Sequence, residues 1–274
     1  MSNAPPHIDW IRREAIPRPF KAAMFDFDGT LSLLREDWPE IMCAMMVDRL
    51  AETGTGETRE FLDGFVDHFV MQLNGKPTIH QMLRLVEEVR LRGGKPKSAE
   101  EYKLDYFNVL LATVEKRVGS WKTSGEETQR KWRVPGCGEI LAALRNRGMP
   151  LYLVSGSDRE HVVQELEYLG LSGFFPDRIH APRGNHDGFL KKKIIDGIIL
   201  ENDIDPHQLI GFGDGVVETE DIAASGGFAV GVASRREADR LLHEAKKERL
   251  ISAGASLVIP DYVNFEHWLD DFAA

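Results

Sequence analysis

Ala22-Ala23-Met24-Phe25-Asp26-Phe27-Asp28-Gly29-Thr30 is the stretch that decides the fold. A short apolar run ends in two carboxylates two residues apart, then a glycine and a hydroxyl. Pro17 and Pro19 upstream and Gly29 downstream favour a buried strand over a piece of buried helix. Alternate side chains of a strand share a face, so Asp26 and Asp28 are expected to project toward one site where the strand runs out into a loop. Two carboxylates at a strand end need neutralising, and a divalent cation with oxygen ligands does this readily. An EF-hand loop is excluded, because Gly29 follows Asp26 by three residues rather than five and no glutamate closes the loop.

Beyond this strand the texture changes. From Glu36 to about Trp132 the apolar residues fall at helical spacing in four stripes. The first is Trp38, Ile41, Met42, Met45, Met46 and Leu50. The second is Phe61, Leu62, Phe65, Val66, Phe69 and Val70, and the third Ile79, Met82, Leu83, Val86 and Val89. Tyr102, Tyr106, Val109, Leu110 and Val114 make the fourth. Breaks fall at Gly54-Thr55-Gly56, Asn74-Gly75-Lys76-Pro77 and Gly93-Gly94-Lys95-Pro96. The expectation is an all-helical insert over residues 34–132, long enough to be a small domain.

After Val134-Pro135-Gly136 strands and helices alternate. Strands are expected at Leu151–Val154, Arg178–Ala181, Gln208–Gly213, Phe228–Val232 and Leu257–Ile259. Helices are expected over 140–147, from Asp158 to Gly170, over 191–202, over 235–253 and near 265–272. The mixed-charge helix over 235–249 reads as a solvated face. Residues 1–20 read as a polar lead-in with an amphipathic turn around Ile8, Trp10 and Ile11. Alternating strands and helices imply a parallel sheet, hence an α/β, Rossmann-like core from residues 1–33 and 133–274. Ligands of such sheets lie at the carboxyl ends of the strands, which brings Asp26, Asp28, Ser155, Gly156 and Asp214 to one edge.

Each strand end carries chemistry. The Ser155 hydroxyl and Gly156 amide open a helix, an arrangement suited to an anion. Lys191 also opens a helix, where positive charge opposes the dipole unless an anion compensates. Of Lys191, Lys192 and Lys193, Lys191 stands three residues before Ile194 and seven before Ile198, nearest the buried stripe. Gly213-Asp214-Gly215 with Glu218 supplies a second acidic strand end. The nine histidines form no ligand pair at helical spacing.

These residues, in this order, resemble the haloacid dehalogenase superfamily of phosphohydrolases. The first signature matches Asp26-Phe27-Asp28-Gly29-Thr30, the second the apolar strand ending in Ser155, the third Lys191, and the fourth Gly213-Asp214 with Glu218, where the family more often has aspartate. The resemblance covers about two thirds of the chain, and the helical insert resembles the C1 cap domains of that superfamily. It implies that Asp26 is the nucleophile, forming an aspartyl phosphate, and that Asp28 is the general acid and base. It further implies one Mg²⁺ held by Asp26, the Asp28 backbone carbonyl, Asp214 and Glu218. Ser155, Gly156 and Lys191 would bind the phosphoryl oxygens. Asn74 and Lys76, in a turn between cap helices, are the candidate substrate contacts.

The expected substrate is a small soluble phosphomonoester, such as a sugar phosphate. A phosphomutase on the same core and a non-catalytic phospho-ligand-binding module are the alternatives. Asp28 argues against a carbon–halogen hydrolase, which has no use for that proton-transfer acid, and the missing spans argue against a P-type pump. A net charge of −10 over 274 residues argues against a general nucleic-acid surface. No apolar run reaches the length of a membrane span. Cys43 and Cys137 form no metal pattern and read as reduced thiols of a cytoplasmic protein.

Overall fold

The computed structural model describes residues 9–10, 19–73, 77–119, 121–183, 189–234 and 244–265. The chain forms two compact units, Met1–Leu34 with Trp121–Ala274, and Arg35–Ser120. The second unit ends before residue 120 gives way to Trp121, twelve residues short of the 132 boundary read from the stripes.

The first unit carries a seven-stranded sheet of order β1-β7-β6-β5-β2-β3-β4. Its strands are β1 (Asp9–Trp10), β2 (Ala22–Phe25), β3 (Leu151–Val154), β4 (Ile179–His180), β5 (Leu209–Gly213), β6 (Phe228–Val232) and β7 (Leu257–Ile259). Six strands run parallel, and β1 joins β7 antiparallel at the edge. The lead-in therefore contributes a strand at Asp9–Trp10 where an amphipathic turn was expected. Two residues carry no readable alternation, and edge pairing alone makes the strand.

β2 is central. Its four residues are fully buried and pair with β3 on one side and β5 on the other. A strand covered on both faces reads as a continuous apolar run, as Ala22–Phe25 does. Phe25 stacks on Phe212 of β5 with centroids 4.6 Å apart, and both rings pack against Tyr262. The register sets the site. Phe25 is level with Leu153 and with Phe212, so the chain leaves the sheet side by side at Asp26, Ser155 and Asp214. From β2 the chain builds β3 and β4 to one side and β5, β6 and β7 to the other. The ends of β2, β3 and β5 therefore form a topological switch point, the place where open α/β sheets bind ligands.

The helices of this unit are α5 (Trp121–Lys131), α6 (Cys137–Asn146), α7 (Arg159–Tyr168), α8 (Lys191–Glu201), α9 (Val216–Ala224) and α10 (Glu244–Ser252). Asp158 stands at the N-cap of α7 but makes no side-chain cap bond. The helix expected over 235–253 is described only as α10, and the one expected near 265–272 lies outside the described residues.

The second unit is helical, with α1 (Trp38–Ala51), α2 (Arg59–Gln72), α3 (Ile79–Leu91) and α4 (Ala99–Gly119). Thr58 caps α2 by accepting from the Phe61 amide, and Pro39 sits in the first turn of α1, where it displaces no helical bond. Met42, Met46, Leu50, Leu62, Val66, Met82, Val86, Tyr102, Tyr106 and Leu110 fill its core, as the stripes predict. Phe61, Leu83 and Val109 fall outside the core and are exposed, since four helices bury a narrower stripe than the spacing alone allows. Both cysteines are free, and burial pushes the Cys43 thiol up to about 11 and the Cys137 thiol up to about 12. Among the described residues no helix is long and apolar enough to cross a membrane.

Candidate active site

Asp26 follows β2, with its amide bound to the Phe212 carbonyl of β5 at 2.9 Å. That bond carries the sheet one residue past the strand and fixes the carboxylate at the edge. Lys191, the first residue of α8, reaches it with Nζ 2.7 Å from Asp26 Oδ1 and 3.3 Å from Glu218 Oε2. Ile195 and Ile198 anchor α8 on the sheet, and Lys191 stands on the same face one and two turns earlier. The periodicity argument for Lys191 over its neighbours is thus matched in space. Lys192 instead pairs with Asp196 on the surface.

Glu218 is held from several directions. It stands in the first turn of α9, where its Oε1 accepts the Gly215 amide and its Oε2 faces Lys191. A Cβ on Gly213 would meet Glu218 Cγ at 2.3 Å, and one on Gly215 would meet Oε1 at 2.6 Å. The glycines flanking Asp214 make room for this glutamate.

Asp28 turns another way. Its Oδ2 accepts from the Ser157 hydroxyl at 2.7 Å, while Ser155 Oγ accepts the Ser157 amide at 3.1 Å. Gly156 lies beside Lys191, where an added Cβ would meet the lysine Cε at 4.0 Å. Asp214 packs on Gly29, and its Oδ2 receives Lys246 Nζ of α10 at 2.8 Å. Asp26, Asp28, Ser155, Gly156, Lys191, Asp214 and Glu218 therefore gather at one edge of the sheet. Asn74 and Lys76 lie outside the described residues.

Sequence reasoning missed Ser157 and Lys246. Ser157 follows the quoted strand end, but nothing in one sequence tells a hydroxyl that holds an acid from one that faces water. Lys246 contradicts the solvated-face reading of its helix at that position. The available signal was Leu250, fully buried four residues on, which puts Lys246 on the inward face.

Asp26, Asp214 and Glu218 each offer a carboxylate oxygen, all within 4.8 Å of one another. Oxygens around an octahedral Mg²⁺ are separated by about 3 to 4 Å, so modest side-chain rotation closes the set. Electrostatics points the same way. Burial pushes Asp26 well above the usual carboxylate range, against the pull of Lys191, and Glu218 and Asp214 push it further. Asp214 is likewise raised by burial, against the pull of Lys246. Burial also raises Glu218, but Lys191 and backbone amides outweigh it, and Glu218 stays below its ordinary value. Burial disfavours the Lys191 ammonium, yet Asp26 and Glu218 hold its pKa above the ordinary lysine value. Three acids that two ammonium groups do not fully satisfy suit a divalent ion with hard oxygen ligands.

The family model for haloacid dehalogenase-like hydrolases matches residues 20–226. No curated protein matches in sequence. Among solved structures, a HAD family hydrolase from Deinococcus radiodurans with bound phosphate and sodium is 19% identical with a TM-score of 0.57, over 93% of this chain and 96% of that one. A predicted phosphoglycolate phosphatase from Haemophilus somnus is 16% identical with a TM-score of 0.57, over 91% and 97%. A putative β-phosphoglucomutase from Thermotoga maritima is 16% identical with a TM-score of 0.54, over 92% and 99%. The chain belongs to the haloacid dehalogenase-like hydrolases, a family defined here by both the matching segment and the parallel-sheet fold.

Proposed function

We propose that the protein is a Mg²⁺-dependent phosphatase that hydrolyses a small soluble phosphomonoester through an aspartyl phosphate on Asp26. The observation that carries this reading is the division of labour between two acids two residues apart. Asp26 lies against Lys191 and the acidic cluster, whereas the Asp28 carboxylate is turned to Ser157. A nucleophile needs neighbouring positive charge, and a proton carrier needs to stand apart from it.

In the first step an Asp26 oxygen attacks phosphorus, and the bond from phosphorus to the leaving oxygen breaks as Asp28 gives that oxygen its proton. In the second step Asp28 takes a proton from water, whose oxygen attacks phosphorus and frees both phosphate and the Asp26 carboxylate. Lys191 orients Asp26 through Oδ1, and with Ser155 and Gly156 it offers donors to the phosphoryl oxygens. Asp26, Asp214 and Glu218, with the Asp28 backbone carbonyl, would hold Mg²⁺. When bound, the ion supplies positive charge that offsets the repulsion between anionic nucleophile and anionic substrate. Residues 34–132 would act as the cap that excludes water and selects the leaving group, with Asn74 and Lys76 in contact with substrate.

A phosphomutase is the second reading, favoured by the structural likeness to a putative β-phosphoglucomutase. Phosphate release from a panel of phosphorylated metabolites with Mg²⁺ tests both readings. The wild type is expected to release phosphate from at least one of them, and Asp26→Asn to lose at least about 10³-fold in kcat, the scale of removing a nucleophile. Equal turnover by the two proteins would remove Asp26 as nucleophile. A phosphorylated sugar isomer appearing without free phosphate would select the mutase.

A further inference from the structure

Lys246 reaches the site from α10, a helix that carries none of the residues assigned to the reaction above. Leu250, one turn further on, is fully buried, and a Cβ on Gly231 of β6 would meet its side chain at 3.0 Å. That close seat fixes α10 against the sheet and turns Lys246 toward the strand ends. Its ammonium lies 2.8 Å from Asp214 Oδ2, with only 15% of the lysine side chain and 25% of the aspartate side chain exposed. The next residue, Lys247, pairs at 3.4 Å with Glu244 on its own helix, the ordinary arrangement for a surface lysine.

Asp214 thus faces one cation and belongs to the candidate site for another. The same carboxylate that receives Lys246 belongs to the set of three whose oxygens lie within 4.8 Å of one another. The Oδ2 that receives Lys246 is also the oxygen that packs on Gly29, where a Cβ would stand 2.0 Å from it. A divalent ion bound to that carboxylate sits within a few ångströms of the ammonium, and like charges at that separation in a largely buried site repel strongly.

We infer that Lys246 is a built-in counter-ion of Asp214 that competes with the divalent metal for this carboxylate and so lowers metal affinity. The inference rests on the metal site proposed above. Lys246 acts on the metal through Asp214, and is a positioning residue rather than a catalytic one. Its consequence runs in two directions. Without metal, the ammonium neutralises a largely buried acid and steadies the fold. With metal, the same ammonium opposes binding.

Isothermal titration of the full-length protein with Mg²⁺ alone, without substrate, tests the inference on wild type, Lys246→Met and Lys246→Arg. Thermal melts in chelator and in saturating Mg²⁺ accompany it. Lys246→Met is expected to bind Mg²⁺ roughly tenfold more tightly than wild type, the effect of removing one close, partly screened charge. Its melting temperature is expected to fall below wild type in chelator, and the gap to narrow or vanish in Mg²⁺. Lys246→Arg, which keeps the charge, is expected to bind as wild type does. Equal or weaker Mg²⁺ binding by a folded Lys246→Met overturns the inference while leaving the metal site intact. Tighter binding by Lys246→Arg as well would trace the effect to side-chain shape, and also overturns it. A folded wild type that takes up no Mg²⁺ removes the metal site and this inference together.

Discussion

At Gly29 the backbone adopts φ of +73°, and a Cβ there would stand 2.0 Å from Asp214 Oδ2 and 2.4 Å from its Cγ. Two separate demands meet at one residue, a left-handed turn after Asp28 and a close seat for an acid from another strand. Gly29→Ala therefore strains the turn and displaces Asp214. The expected result is a loss of about 1–3 kcal/mol of stability together with at least about tenfold weaker Mg²⁺ binding, read by melting and by titration. Unchanged Mg²⁺ affinity in a folded variant would mean that Asp214 has no part in holding the ion. The glycine was legible in the sequence as the turn after Asp26-Phe27-Asp28. Its contact with Asp214 was not, because a single chain read in order does not say which distant carboxylate fills the space a missing Cβ leaves. Lys191 and Lys246 show the same limit from two sides. The isoleucines after Lys191 mark one face so clearly that the inward lysine can be chosen, whereas around Lys246 the charges alternate and only Leu250 marks the buried side.

The elements were legible where an apolar run is bounded by turn residues. β2, β3, β5, β6 and β7 all end in Gly, Ser, Asp, Ala or Pro after fully buried positions, and the four helices of the insert announce themselves by spacing. β1 was not legible, since its two residues become a strand only by pairing with β7. Between helices, a polar tie joins Glu57, just before α2, to Arg92 at the end of α3. Arg92 donates to Glu57 at 2.7 and 2.9 Å and to Glu88 at 2.6 Å, with its guanidinium 4.9 Å from the centre of the Phe65 ring. The hydrogen bond from Arg92, with a second from Thr55, holds Glu57 below its ordinary value of 4.5. The folded state thus binds this proton less readily than the unfolded chain. The stabilisation is complete above pH 4.5 and is lost as pH falls through the lowered folded value. Glu57→Gln is expected to cost at most about 1 kcal/mol at neutral pH, because the glutamate is partly exposed and water screens the pair. Denaturant melts of the two proteins should differ by a constant amount near neutrality and converge below pH 4.5. A difference that stays constant down to pH 3 would show that the charge of Glu57 contributes nothing.

On the scale of the whole molecule, the two units depend on chain continuity in opposite ways. The insert over Arg35–Ser120 has its own core, and an ion pair between Asp37 and Arg117 ties the beginning of the unit to its end. Among the described residues, the core cluster of the insert is built from its own residues, Met42 through Leu110. The α/β unit is assembled across the insertion. Its central strand, β2, precedes the insert, while β3 and β5, the strands that flank it, both follow. Residues 35–120 expressed alone are therefore expected to be helical and to melt cooperatively, with a stability of a few kcal/mol at most for a domain of that size. Residues 121–274 alone are expected not to fold, because losing β2 exposes the facing edges of β3 and β5 and removes four fully buried side chains from the middle of the sheet. Circular dichroism and thermal melts of the two fragments decide the matter. A gradual, non-cooperative melt of residues 35–120 would mean that the insert draws its stability from the rest of the chain. Adding a peptide that spans residues 19–34 should restore structure to the 121–274 fragment if the missing strand is the reason it fails. Should the peptide leave it unfolded, the loss of β2 alone does not explain why the fragment fails.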